Sequence, residues 1–117
     1  MPMFLISFPS SAMVLTADEF PVVAAAANAI VDEIKAAGIY VFAEGLDDQQ
    51  PATVVSQDGT VSAHSNPETA GLNGGMTIID VPTRKDAEYW AAKVAVACRC
   101  PQELRAFGID MDAVPES

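Results

Sequence analysis

Apolar residues fall into two patterns along this chain: short unbroken runs, and longer stretches in which they return at helical spacing. The opening run "MFLISF" from Met3 is continuous and too short for a helix, the pattern of a buried central strand. From about Asp18 to Ala37, Phe20, Val23, Ala27, Ile30, Val31 and Ile34 form one helical stripe. Two starts compete for this helix. Thr16 and Glu19 have capping-box spacing, but that start puts Pro21 five residues in, where its missing N–H is needed. With Asp18 as N-cap, Pro21 falls in the first turn, where the N–H has no helical partner anyway, so Asp18 is the expected cap. Gly38 suits the position just past the end.

Next comes "IYVFAEGL" from Ile39, β-rich and read as a second strand, and then the polar loop "DDQQP". "ATVVSQDGTVSAH" from Ala52 places two β-branched runs around Asp58-Gly59, a turn pair that accepts positive φ, so it predicts a hairpin. "GMTIIDV" is a further strand. Thr83 with Asp86 opens a second helix whose buried stripe is predicted as Ala87, Trp90, Ala91, Val94 and Cys98. "QELRAFGI" after Pro101 reads as the last strand.

The order strand, helix, strand, small hairpin, strand, helix, strand predicts an α+β fold: a ferredoxin-like antiparallel sheet with two helices on one face. One domain over residues 1–109 is expected, with 110–117 as a frayed acidic tail. Met3, Ile6, Tyr40, Phe42, Met76 and Ile78 supply apolar side chains of both parities along the strands. A sheet apolar on both faces needs a second cover, and a chain this short has no third layer to give it. A homodimer is the expected cover.

Composition narrows the partners. The 117 residues carry 16 acids against 6 bases, a net charge of −10, and Lys35 is the only base before Arg84. No basic face can be assembled, so neither nucleic acid nor an anionic membrane surface is an expected partner. No apolar run is long enough to span a bilayer. "MPMFLISF" has no basic n-region or small-residue cleavage site, so no signal peptide is expected and the predicted location is the cytoplasm. The two cysteines, Cys98 and Cys100, lack both the C-x-x-C redox spacing and a second metal-binding cluster. They are read as free thiols, and neither a metal nor another cofactor is expected.

Candidate chemistry gathers in "AHSNPETAGLNGGMTIIDVP" from Ala63, which holds the chain's only histidine, His64. His64 is suited to general acid–base work, with Glu68 or Asp58 as ring-orienting carboxylates. As a spectator it would titrate near the ~6.5 of a free imidazole, the expected outcome. Glu68 also suits turn capping, and Asp58 belongs to the hairpin turn. Gly74-Gly75 lacks the strand-before, helix-after setting of a phosphate loop and is read as a place where backbones approach closely. Tyr40 offers a hydroxyl to a ligand pocket. Trp90 is read as a core anchor, and Met3, Met13 and Met76 as core filler.

The opening strand, "AEGL" with "ATVV", Asp58-Gly59, Glu68-Thr69, the glycine pair, "TIIDVP" and "DAEYWAAK" together resemble the YCII-related (DGPF) family over roughly residues 3–108. That resemblance implies a dimeric α+β barrel. It also marks Glu44 with Gly45, Glu68, Thr69, Gly74 and Gly75 as the positions that match residue by residue. The D-G-P-F slot itself holds Ala63-His64-Ser65-Asn66, and no histidine stands in the first strand–helix region. The family's histidine–aspartate dyad therefore has no counterpart here.

Two functions follow. The favoured one is a catalytically silent homodimeric module that binds a small molecule or serves a neighbouring regulatory system, with Glu44, Tyr40, Thr69, Gly74 and Gly75 as ligand-binding residues. The alternative is a small enzyme doing lyase- or isomerase-like proton transfer on a small molecule, aromatic ones among the candidates, with His64 moving the proton and Glu68 or Glu44 orienting it.

Overall fold

The computed structural model describes residues 2–63 and 66–108. His64, and the tail from 110 with residue 109, lie outside them. The elements run β1 (Met3–Ser7), α1 (Phe20–Ala36), β2 (Tyr40–Gly45), β3 (Val54–Val55), β4 (Val61–Ser62), β5 (Gly75–Asp80), α2 (Arg84–Cys98) and β6 (Glu103–Ala106), with short 3₁₀ turns at Ser10–Ala12 and Pro67–Thr69. Four strands form one antiparallel sheet in the order β2-β5-β1-β6, and β3-β4 form a separate hairpin. The α+β arrangement, a four-stranded antiparallel sheet with two helices, is compatible with a ferredoxin-like layout.

The register sorts the side chains. Phe4 faces Ile79 and Ala106 across the ladders, and Ile6 faces Thr77 and Leu104, so these residues share one face of the sheet. Phe4, Ile6 and Ile79 from that face enclose the core with Ile30 and Ile34 of α1 and Ala87, Ala91 and Val94 of α2. Both helices thus lie on one side. The opposite face carries Met3, Leu5 and Ser7 of β1, Met76, Ile78 and Asp80 of β5, Phe42 and Glu44 of β2, and Glu103 and Arg105 of β6.

The helix ends are built by local chemistry. At α1 the Thr16–Glu19 pairing forms: the Thr16 Oγ1 accepts the Glu19 N–H at 3.3 Å and donates to the Glu19 carboxylate at 3.0 Å. Asp18 is not the cap. The Phe20 N–H reaches the Thr16 carbonyl at 3.2 Å, so a turn precedes the regular helix, and Pro21 falls in the first turn of α1 as expected, where its missing N–H has no helical partner. Gly38 at φ +75 closes α1, with its own N–H on Lys35 O and the Ile39 N–H on Ile34 O, the paired bonds of a Schellman end. Thr83 caps α2, accepting the Asp86 N–H at 3.1 Å and donating to its carboxylate at 2.9 Å. α2 ends just before Pro101, as its sequence predicts; Arg99 takes the left-handed conformation at φ 56, and the Cys100 N–H returns to Ala95 O.

Three expected core residues sit further out. Phe20 is 62% exposed, since the turn from Thr16 leaves it at the outer rim of α1. Trp90 is half-buried at the edge of the core, edge-on to Tyr89 and under the Lys93 ammonium. Met3 is exposed on the sheet face away from the helices.

Candidate functional site

The residues singled out in the sequence do not converge on one point. Glu68 and Thr69 belong to the 3₁₀ turn Pro67–Thr69, which Asn66 caps by accepting the Glu68 N–H at 3.0 Å. Both are exposed, and Thr69 borders a second cleft, of about 440 Å³, with Leu46, Asp47, Ala52 and Leu72. Asp58 is turn chemistry: its carboxylate accepts the Thr60 N–H at 2.9 Å, a bond that holds its pKa below the ordinary carboxylate value, and Gly59 takes φ +89. Tyr40 stands at the start of β2 with the Lys35 ammonium 4.8 Å from its ring centre. It lies about 13 Å along the strand from Glu44.

Glu44, Gly45 and Gly75 do come together, at the end of β2 and the start of β5. They border a cleft of about 240 Å³ between the sheet and both helices, with Ala27, Asn28 and Val31 from α1 and Val94 and Cys98 from α2. Phe8, Met13, Ala43, Met76, Thr77 and Gln102 complete its wall. The register places Ala43 and Thr77 on the helix side, whereas the Glu44 side chain belongs to the opposite face with Met76. The cleft is therefore apolar, with a few uncharged polar groups.

The glycine pair fixes the mouth of this cleft. A Cβ at Gly74 would overlap the Phe8 carbonyl oxygen and press on the Ser10 nitrogen, and one at Gly75 would enter the Phe8 ring. The close backbone approach read from the sequence is thus present. Around it, Phe8 N–H donates to Gly75 O at 3.3 Å and Leu46 N–H to Gly74 O at 2.9 Å. Asn73, which drew no notice in the sequence, grips the Ser10 backbone and hydroxyl.

Both cysteines are free and buried. Burial, reinforced by Cys100, pushes the Cys98 thiol up to about 11, and burial also raises Cys100. Neither is an activated nucleophile. Among the described residues no cluster of histidine, cysteine and carboxylate side chains is placed to hold a metal ion, and no helix is long and apolar enough to cross a membrane. No protein-family model matches the chain, and no curated protein matches it.

Proposed function

We propose that this chain is a homodimeric, catalytically silent module of YCII-related type that binds a small molecule. The supporting observation is the sheet face turned away from the helices. Leu5, Met76, Ile78, Phe42 and Met3 form its apolar centre, with Phe42 47% and Met3 41% exposed. The charged groups of this face are Glu44 on the β2 edge, the Glu103–Arg105 pair on the β6 edge and Asp80 at the end of β5. An apolar centre inside a charged rim is the anatomy of a protein interface. Both helices lie on the other side of the sheet. The shortest extent of the molecule, 19 Å, is the depth of one helix layer on one sheet. A second copy presenting the same face gives a closed, symmetric cover without any additional component.

The cleft under the helices is the ligand site in this reading. Its wall is apolar, its thiol stays protonated at neutral pH, and Glu68 and Thr69 lie outside it. Those features suit retention of a small molecule better than proton transfer on it. Phe42→Glu tests the assembly: size-exclusion chromatography with light scattering should show a monomer of unchanged circular dichroism. A variant that keeps the oligomeric state of the parent would refute the sheet-face dimer.

A further inference from the structure

The polar groups of the cleft are few, and each has a definite state. Thr77 projects from the sheet floor on the helix side, between its ladder partners Ile6 and Ala43. It is only 9% exposed, and it lines the cleft. A hydroxyl on the cleft floor can donate one hydrogen bond to a ligand and accept others from it. The Gln102 amide is already engaged, donating to Cys100 O at 3.3 Å and to its Sγ at 3.5 Å. Asn28 stands exposed at the α1 rim of the cleft.

Charge excludes the ionic alternatives. No lysine or arginine lines the cleft, so a carboxylate or phosphate entering it would lose its hydration without a counter-charge. Glu44 is the one charged residue on the wall, and its register position turns the side chain toward the other sheet face, which leaves a cation inside without a close counter-charge. The Cys98 thiol, held neutral by its burial, adds no charge. Size sets a further limit: a cavity of about 150 Å³ accepts benzene, so the 240 Å³ here suits one substituted ring.

We infer that the ligand of this cleft is a neutral, largely apolar molecule of about one ring, carrying a single hydrogen-bonding group directed at the Thr77 hydroxyl. The inference rests on the ligand-binding reading above and adds the ligand's chemical class. It makes Thr77 the residue that orients the ligand, while Ala27, Val31 and Val94 supply the apolar contact.

Four probes of matched size separate the possibilities: benzyl alcohol, toluene, benzoate and benzylamine, each titrated into the full-length protein and followed by NMR shifts of the Thr77 and Val94 amides. Benzyl alcohol should bind, with benzoate and benzylamine at least about tenfold weaker. Thr77→Val should weaken benzyl alcohol about fivefold, the worth of one net hydrogen bond, and leave toluene unchanged. Thr77→Ser, which keeps the hydroxyl, should retain the preference for benzyl alcohol over toluene. Benzoate or benzylamine binding as tightly as benzyl alcohol, or loss of that preference in Thr77→Ser, would overturn the neutral-ligand inference while leaving the cleft a binding site. No response to any probe would overturn the ligand-binding reading itself.

Discussion

Asn73 and Ser10, 63 residues apart in sequence, hold one another twice: the Asn73 Oδ1 accepts the Ser10 N–H at 2.9 Å, and its Nδ2 donates to the Ser10 Oγ at 3.0 Å. This clasp ties the segment after β1 to the start of β5. Gly74, next to it, lies so close under Phe8 that no side chain fits. The pair of contacts positions Phe8 and Gly75, both of which line the cleft. Gly74→Ala must displace backbone, at a cost of about 1–3 kcal/mol. Asn73→Ala should cost less, about 1 kcal/mol, because its bonds are exposed and water replaces them in part. Urea denaturation checks the order. A Gly74→Ala midpoint equal to that of the parent would show that the close approach is not required.

Trp90 is a rim residue and should behave as one. Ile79 is fully buried at 0% exposure, whereas Trp90 only packs against the core and carries Lys93 over its ring. Ile79→Ala should lose about 2–5 kcal/mol, the range for an aliphatic side chain deleted from a tight core. Trp90→Ala should lose about 2 kcal/mol, less than the ~3–5 of a buried aromatic. A Trp90→Ala variant destabilised more than Ile79→Ala would put the indole inside the core.

The thiols give the fold an alkaline limit. Cys98 is raised to about 11 in the folded protein by burial and by Cys100, from an ordinary value of 9.0. A raised value means that the folded state keeps its proton where the unfolded chain has lost it. The contribution of Cys98 to stability is therefore complete below about pH 9 and disappears as pH rises to about 11. Cys100 is shifted in the same direction. Urea midpoints of the parent should thus fall between these pH values more than those of Cys98→Ala. Parallel pH curves for the two proteins would show that the Cys98 thiol titrates alike in both states. Native Cys98 should also react slowly with a disulfide reagent at neutral pH and rapidly in urea.

Much of this architecture can be read from local pattern. The strands, both helices, the Thr83–Asp86 cap, Gly38 and the Asp58-Gly59 turn each follow from side chains a few residues apart. Two local features mislead. The Thr16–Glu19 box forms one turn ahead of α1, which begins at Phe20, so Pro21 still sits in the first turn, where no N–H is needed. Pro101 announces the end of α2, but Arg99 adopts a positive φ that normally selects glycine or asparagine, so nothing in "CRC" announces the left-handed residue. The cleft is less legible still. Phe8, Asn28, Thr77 and Gln102 meet only because the strand order brings the start of β5 beneath both helices, and no spacing in the chain encodes that meeting. Glu68 and Glu44, by contrast, stand out as acids in the sequence but occupy a separate turn and the opposite sheet face.

Sedimentation equilibrium of the intact protein at physiological salt is the most direct test of the sheet-face dimer. The apolar patch of Leu5, Phe42, Met76 and Ile78 needs a cover, so the mass should be twice the 12.3 kDa of the chain at micromolar concentration. Ile78→Glu, which places a charge at the centre of that patch, should bring the mass down to 12.3 kDa without changing the helix content. A parent protein that remains a folded 12.3 kDa monomer at high concentration would contradict the dimer and, with it, the proposed module.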